Sequence, residues 1–192
     1  MKRAVHGALL ALLCAAGSLA AGREATPTLA VCLGCHGASG NSLLANVPSL
    51  GGQPSPYLVI QLYLFREKLR SSPVMYEATK ALSDADLQQF ADNLATLPAP
   101  AFPSAPPEDR ARVERARTVA AKHRCGACHQ PDFYGHDNIP RLAGQREDYL
   151  ALSLRAYKSN LRPGYDASMA EVLAPVTDAD IADLAYFLAR LH

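Results

Sequence analysis

The strongest constraint on this chain is a five-residue pattern, C-x-x-C-H, that occurs twice. It reads Cys32-Leu33-Gly34-Cys35-His36 in the first half and Cys125-Gly126-Ala127-Cys128-His129 in the second. Two cysteines at this spacing can each add across a vinyl group of a porphyrin, and the histidine that follows can bind the iron. The sequence therefore predicts two covalent haem c groups. The attachment residues are Cys32, Cys35, Cys125 and Cys128, and the first iron ligands are His36 and His129.

Paired cysteines have other uses that had to be weighed against haem. Exported proteins form disulfides, a C-x-x-C pair can be a thioredoxin-like redox site, and four cysteines can hold zinc. Three features favour haem. A histidine follows each pair directly, neither pair lies in a βαβ pattern, and each half carries a methionine at a matching distance.

The first twenty residues have the pattern of a secretory signal. Lys2 and Arg3 precede an apolar run over residues 8–16, and Ser18-Leu19-Ala20 offers the small residues that a signal peptidase selects. We expect residues 1–20 to be removed, with cleavage after position 22 as the second choice, and the mature protein to be periplasmic. Cys14 would leave with the signal, so four of the five cysteines remain. The alternative is that Cys14 anchors a lipid, but the preceding Leu12 and Leu13 are too large for a good lipoprotein site.

Charge and hydropathy exclude two classes of partner. The formal net charge of +1 becomes −1 when Lys2 and Arg3 are removed with the signal. The mature chain therefore has no basic field for nucleic acid and no polybasic arm for a membrane surface. No apolar stretch after the signal is long enough for a transmembrane helix, and we expect no integral membrane segment in the mature chain.

The mature chain is a duplicated unit. Pro48, Gly52, Gln53, Tyr57 and Arg70 each recur 92 positions later, and the two C-x-x-C-H motifs are 93 positions apart. Five prolines fall between positions 98 and 107 and predict a stiff, extended linker. We therefore predict a first domain over residues 21–97, a linker over 98–107 and a second domain over 108–192.

Hydrophobic periodicity predicts an all-α fold. One helix should lead into each C-x-x-C-H motif. In the first half, an apolar stripe of Leu58, Leu62, Phe65 and Leu69 should form a second helix that ends at Ser71-Ser72-Pro73. In the second half, a stripe of Tyr149, Leu150, Leu154, Tyr157 and Leu161 should form the equivalent helix, which ends at Pro163-Gly164. Capping boxes at Ser83–Asp86 and Thr177–Asp180 should begin the last helix of each half.

Two methionines remain after the signal, and they occupy equivalent places in the repeat. Met75 lies 39 residues after His36, Met169 lies 40 residues after His129, and each follows a break that contains proline. We predict that each methionine lies on a loop and binds the iron opposite the histidine. The rival ligands have no equivalent in the first half; they are His123, His136 and His192.

This ligand set decides what each iron can do. Iron held by histidine and methionine has no open coordination position, and the methionine favours the ferrous state. Such a centre can take and give one electron with little rearrangement, whereas it is poorly suited to bind oxygen, peroxide or a substrate. The sequence therefore predicts an electron carrier rather than an enzyme.

The chain resembles the cytochrome c4 family, the dihaem class I cytochromes c of bacterial periplasms. The matching segments of the first half are Val31–Gly40, Pro48–Gln53, Gln61–Arg70, Met75 and Leu82–Leu87, and those of the second are Cys125–His129, Pro140–Gln145, Tyr149, Met169 and Thr177–Leu191. The resemblance implies two tandem cytochrome c domains, each wrapped around a covalent haem, with the haems close at their interface. It implies electron transfer between a membrane cytochrome complex and a terminal oxidase or reductase.

The resemblance also makes predictions about single residues. It implies that Pro48 and Pro140 lie against the histidine side of each haem. Arg70 and Arg162 match recurring positions, where contact with a haem propionate and plain surface solvation remain alternatives. The first half departs from the pattern, because Asp92-Asn93 stands where the second half has Tyr186-Phe187, so the helix packing of the two domains should differ.

Two other functions fit parts of the sequence. The chain could be the dihaem cytochrome subunit of a periplasmic oxidoreductase, of a sulfide- or alcohol-oxidising type, whose catalytic subunit is another protein. It could instead be a haem enzyme such as a peroxidase or a thiosulfate dehydrogenase. The enzyme needs an open or unusually ligated haem, which two histidine–methionine pairs would not provide.

Overall fold

The computed structural model describes residues 28–100, 109–162 and 167–191. The expected signal at 1–20, most of the linker at 98–107 and the break at Pro163-Gly164 lie outside these residues. Within them the secondary structure is α-helical, apart from an isolated bridge between His136 and Ile139. The helices are α1 Leu29–His36, α2 Ser55–Arg66, α3 Pro73–Thr79, α4 Asp84–Ala95, α5 Arg110–Lys122, α6 Gly126–His129, α7 Glu147–Lys158, α8 Ser168–Leu173 and α9 Asp178–Ala189.

The helices form two groups that repeat one another. In the first half (residues 28–100), α2 packs against α3 and α4. In the second half (residues 109–191), α7 packs against α8 and α9 in the same order, and α5 adds a further layer on α9. None of the helices in the described ranges is both long and apolar enough to cross a membrane.

The last helix of each half begins as the sequence predicts. The Ser83 hydroxyl accepts a hydrogen bond from the Asp86 amide while the Asp86 carboxylate accepts one from the Ser83 amide. Thr177 and Asp180 form the same reciprocal pair at the start of α9. Both capping boxes are confirmed, because a cap depends on residues only three positions apart and is visible in the sequence.

The predicted ends of α2 and α7 are wrong. α2 ends at Arg66, where Lys68 adopts a left-handed φ of 58° and the Leu69 amide donates to the Leu64 carbonyl at 2.8 Å. Asn160, with φ of 54°, ends α7 through the equivalent bond from Leu161 to Ala156. These are Schellman caps without glycine. They leave Leu69 and Leu161 53% and 75% exposed, outside the apolar stripes.

The prediction that both methionines lie on loops is also wrong. Met75 lies in α3 and Met169 in α8. The Ser72 hydroxyl caps α3 by accepting a hydrogen bond from the Met75 amide, and Pro73 is its first residue. Proline was interpreted as the end of the preceding helix, but it is equally favourable in the first turn of a new one.

The two halves have different cores. The buried residues of the second half form one cluster that includes Tyr186 and Phe187, whereas those of the first half form two smaller clusters. The Tyr186 hydroxyl accepts a hydrogen bond from the Asp109 amide, and the guanidinium groups of Arg112 and Arg190 lie 4.0 and 3.5 Å from the centre of its ring. Tyr186 thereby ties α5 to α9. The corresponding residue Asp92 is exposed and accepts hydrogen bonds from Ser55 and Gln88 at the surface.

Candidate haem sites

The two C-x-x-C-H motifs have different local structures. The first lies wholly within α1, whose N-cap is Thr28. The second is divided, because α5 ends at Lys122, Arg124 takes a left-handed φ of 54°, and the short helix α6 begins after Cys125. In both motifs the first cysteine is half-buried and the second exposed, and all four thiols are unpaired. Burial raises the pKa of the Cys32 and Cys125 thiols.

Each motif histidine is buried and held by a proline carbonyl. The Nδ1 atom of His36 lies 2.8 Å from the Pro48 carbonyl oxygen, and that of His129 lies 3.0 Å from the Pro140 oxygen. A carbonyl can only accept, so Nδ1 carries the proton and the lone pair is on Nε2. Burial lowers the pKa of both imidazoles and favours the neutral form. A neutral imidazole with an oriented Nδ1–H is the form that binds a metal through Nε2.

Each methionine packs against an apolar cluster of its own half. Met75 and Leu29 of α1 both contact the cluster of Leu62, Leu82, Leu87 and Phe90. Met169 and Cys125 both contact the large cluster of the second half. In the second half, the structure therefore brings the methionine and the motif to one apolar region, although they are about forty residues apart in the chain. In the first half, Met75 shares its cluster with Leu29, three residues before the motif, while the motif residue Leu33 packs on the neighbouring cluster.

The alternatives based on zinc and on other histidines gain no support. Over the described ranges, no three His, Cys, Asp or Glu side chains are close enough together to form a metal site, and the two cysteine pairs lie in different halves. His136 is exposed beside Asp137, 3.0 Å from its carboxylate, and His123 is the C-cap of α5. His192 lies outside the described residues.

A cluster of tyrosine and arginine side chains joins the two halves. Arg70 donates to the Tyr149 hydroxyl at 3.0 Å, and Arg162 donates to the Tyr57 hydroxyl at 3.3 Å. Gln61 accepts from both arginines. Arg162 is buried, so plain surface solvation is wrong for this residue. Burial alone would lower the pKa of Arg162, but the neighbouring hydroxyls of Tyr149 and Tyr57 raise it.

Sequence reasoning missed Arg141, which is only 3% exposed. Its guanidinium lies 4.6 Å from the Tyr134 ring centre and fits against Gly52 and Gly144, where a Cβ would come within 3.1–3.2 Å of its terminal nitrogens. Its Nε and Nη1 atoms are buried without a hydrogen-bond partner, and burial lowers its pKa. The sequence contains one clue to this residue: the repeat places a serine, Ser49, at the position equivalent to Arg141, so the arginine is specific to the second half.

The buried arginines fit the acidic groups of a haem. The Nε atom of Arg162 also lacks a hydrogen-bond partner among the described residues. Within those residues, the side chains of Arg70 and Arg162 donate to the hydroxyls of Tyr57 and Tyr149 and to Gln61, which are all uncharged acceptors. A buried guanidinium without an anion is unfavourable, whereas a propionate would provide both charge and acceptor oxygens. The anchored histidines, the apolar clusters and these unsatisfied cations are together compatible with one haem in each half.

Comparisons of the sequence and of the structure with known proteins agree on the kind of protein that this chain resembles. The family model for cytochrome c matches residues 113–192. Cytochrome c4 of Pseudomonas aeruginosa is 31% identical over 93% of this chain and 90% of its own length. The thiosulfate dehydrogenase electron acceptor of Thiomonas intermedia is 32% identical over 86% of this chain and 80% of its own. The crystal structure of reduced cytochrome c4 from Pseudomonas stutzeri superimposes with a TM-score of 0.75 at 28% identity, covering 85% of this chain and 95% of that one.

Proposed function

Since the chain belongs to the cytochrome c4 family, we propose that it carries single electrons in the periplasm between a membrane cytochrome complex and a terminal oxidase or reductase. It is a dihaem electron carrier that binds two haem c groups covalently through its C-x-x-C-H motifs. Each bound haem supplies a one-electron ferric–ferrous couple. The periplasmic location rests on the expected signal at residues 1–20 and on the relationship to the family.

The iron ligands in this proposal are His36 and Met75 in the first half and His129 and Met169 in the second. The observation that carries it is the doubled histidine geometry, with Nδ1 of each imidazole 2.8 or 3.0 Å from a proline carbonyl. This contact orients each ring and leaves Nε2 available. Helix α8 holds Met169 against the apolar cluster that Cys125 also contacts, and helix α3 holds Met75 against a cluster that Leu29 of α1 contacts.

The proposed division into domains follows the repeat. Residues 21–97 would form the first cytochrome domain, residues 98–107 the linker, and residues 108–192 the second domain. In the extensive helix–helix contacts, α2 packs against α3 and α4, and α5, α7, α8 and α9 pack among themselves. Among the described residues, none of these contacts joins a helix of the first group to a helix of the second. Such separate packing supports one haem site in each half.

The alternative function is to accept electrons directly from an oxidoreductase in a complex. The similarity to the Thiomonas intermedia electron acceptor favours an enzyme that oxidises a reduced sulfur compound. In that case the chain would still carry electrons, but its donor would be a soluble catalytic subunit. Stopped-flow reduction separates the two functions, because fast reduction by quinol-charged membranes supports the first, and fast reduction only by a thiosulfate-oxidising enzyme supports the second.

The ligand assignment is tested by the absorption spectrum of the oxidised protein. We expect the far-red band of a thioether bound to ferric haem, and we expect Met75→Ala and Met169→Ala each to remove about half of it, since each removes one of two thioethers. Val74→Ala in α3 and Val172→Ala in α8 are matched controls, because both valines are exposed neighbours of the methionines. An unchanged band in either methionine variant would show that the thioether is not a ligand.

A further inference from the structure

Gln53 and Gln145, which we call the glutamine pair, connect the halves in a reciprocal way. The Gln145 side chain accepts a hydrogen bond from the Ser49 amide at 2.8 Å and donates to the Ser49 carbonyl at 2.8 Å. The Gln53 side chain accepts from the Arg141 amide at 3.1 Å and donates to the Arg141 carbonyl at 2.8 Å. Gln53 and Gln145 are equivalent in the repeat, as are Ser49 and Arg141. All four residues are buried, so water does not compete for these bonds.

Each glutamine acts on the peptide group that holds the histidine of the opposite half. The Ser49 amide belongs to the same peptide group as the Pro48 carbonyl, which accepts the hydrogen bond from His36. The Arg141 amide likewise shares a peptide group with the Pro140 carbonyl, which accepts from His129. Only one planar peptide unit therefore separates Gln145 from His36, and only one separates Gln53 from His129.

Hydrogen bonds on the two sides of a peptide group strengthen one another. When the amide donates, electron density moves toward the carbonyl oxygen, which becomes a better acceptor. A better acceptor at Nδ1–H makes an imidazole a stronger donor to its metal. A stronger nitrogen donor stabilises ferric iron and lowers the reduction potential.

We propose that the glutamine pair consists of positioning residues, each of which tunes the axial histidine of the opposite half through one peptide group. The contact between the halves thereby sets both reduction potentials. This inference rests on the proposed function, because it requires that His36 and His129 bind iron. Gln145 lowers the potential of the first haem, and Gln53 lowers that of the second.

Over the ranges that the structure describes, the other hydrogen bonds between the halves do not reach these peptide groups. The Asn46 amide donates to Asp148, and Arg146 donates to the Ser42 carbonyl. Gln61 accepts from Arg162 across the same boundary at 3.2 Å. Gln61→Met is a control for the histidine signal. It makes the same uncharged substitution and disturbs the same boundary without changing the bonds to Ser49 or Arg141, so both Nδ1–H resonances should stay unchanged. Its effect on the potentials is a separate one, because Gln61 also bonds to Arg70 and Arg162.

The test compares Gln145→Met, Gln53→Met and Gln61→Met in the protein with both haems attached. Spectroelectrochemistry gives the two potentials, and NMR of the ferrous protein gives the Nδ1–H resonance of each histidine. For Gln145→Met we expect the His36 proton to move upfield, and the ferrous-to-ferric ratio of the first haem at fixed potential to rise about two- to fivefold. That change is about 20–40 mV at about 59 mV per tenfold. For Gln53→Met we expect the same changes at His129 and the second haem.

The decisive result is a change confined to the histidine and haem of the half opposite to the substituted glutamine. A change confined to the half that carries the substitution, equal changes at both haems, or no change would overturn the proposal. The test needs only one of the two variants, Gln145→Met or Gln53→Met, to fold with its haems. If both variants lose haem, the glutamine pair serves only folding and the proposal is overturned. Failure of the proposed function looks different, because the wild-type protein would then lack two haems or the far-red thioether band.

Discussion

Asp183 provides a sharp test of how the second half is held together. It is a buried residue of α9 whose carboxylate accepts hydrogen bonds from Arg112 Nε at 2.9 Å and from Arg115 Nε at 2.6 Å, both on α5. The Asp183 side chain is 12% exposed, against 27% for Arg112 and 58% for Arg115. The bond to Arg112 should therefore carry most of the stabilisation, since exposed ion pairs contribute little.

We expect Asp183→Asn to reduce the free energy of unfolding by about 1–2 kcal/mol. A net hydrogen bond to a charged group contributes about 1.5–3 kcal/mol, and the partial exposure of Arg112 reduces that figure. Urea unfolding of the haem-bearing protein, followed by helical circular dichroism, measures the difference. Glu77→Gln is the control, because Glu77 forms an exposed ion pair with Lys80, and we expect a change within about 0.5 kcal/mol.

The effect of Asp183→Asn should depend on pH in a defined direction. The hydrogen bond from Arg115 lowers the pKa of Asp183, burial opposes this, and Arg112 lowers the pKa further. Since the pKa is lower in the folded state, the stabilisation is fully present above the unfolded value of about 3.9 and is lost as the pH falls through the folded value. The difference between wild type and variant should be constant from pH 7 to 5 and shrink below pH 4. Equal stability at pH 7, or an undiminished difference at pH 3, would refute the reasoning.

Four further substitutions test local features of the fold by the same unfolding assay. Gly37 has a φ of 88° and a Cβ there would lie 2.1 Å from a backbone oxygen, so Gly37→Ala should destabilise by more than 1 kcal/mol; Gly34→Ala, which has open space, should be neutral or stabilising by up to about 1 kcal/mol. Thr177→Ala removes the side-chain cap of α9 and should cost about 1 kcal/mol; no loss would mean that the cap is dispensable. Phe187→Ala should cost about 3–5 kcal/mol, because Phe187 is buried and packs edge-to-face on another ring 6.0 Å away; a cost below 1 kcal/mol would contradict this packing.

The sequence predicted those features that depend on neighbouring residues. The C-x-x-C-H motifs, the two capping boxes and the apolar positions of α2, α4, α7 and α9 are local patterns, and the all-α fold follows from their periodicity. The methionines were identified by their equivalence in the repeat, but their helices were missed. Pro73 can end one helix or begin another, and only the observed cap at Ser72 shows which it does.

The sequence by itself determined the haem attachment, the duplication and the caps, because the chemistry of each is complete within a few residues or within one comparison of the two halves. Only the tertiary structure decided that Arg141 is buried with unsatisfied nitrogens and that each glutamine bonds to the opposite half. The physical reason is that burial and hydrogen bonding between residues about ninety positions apart depend on how the halves dock, and docking leaves no periodic trace in the chain.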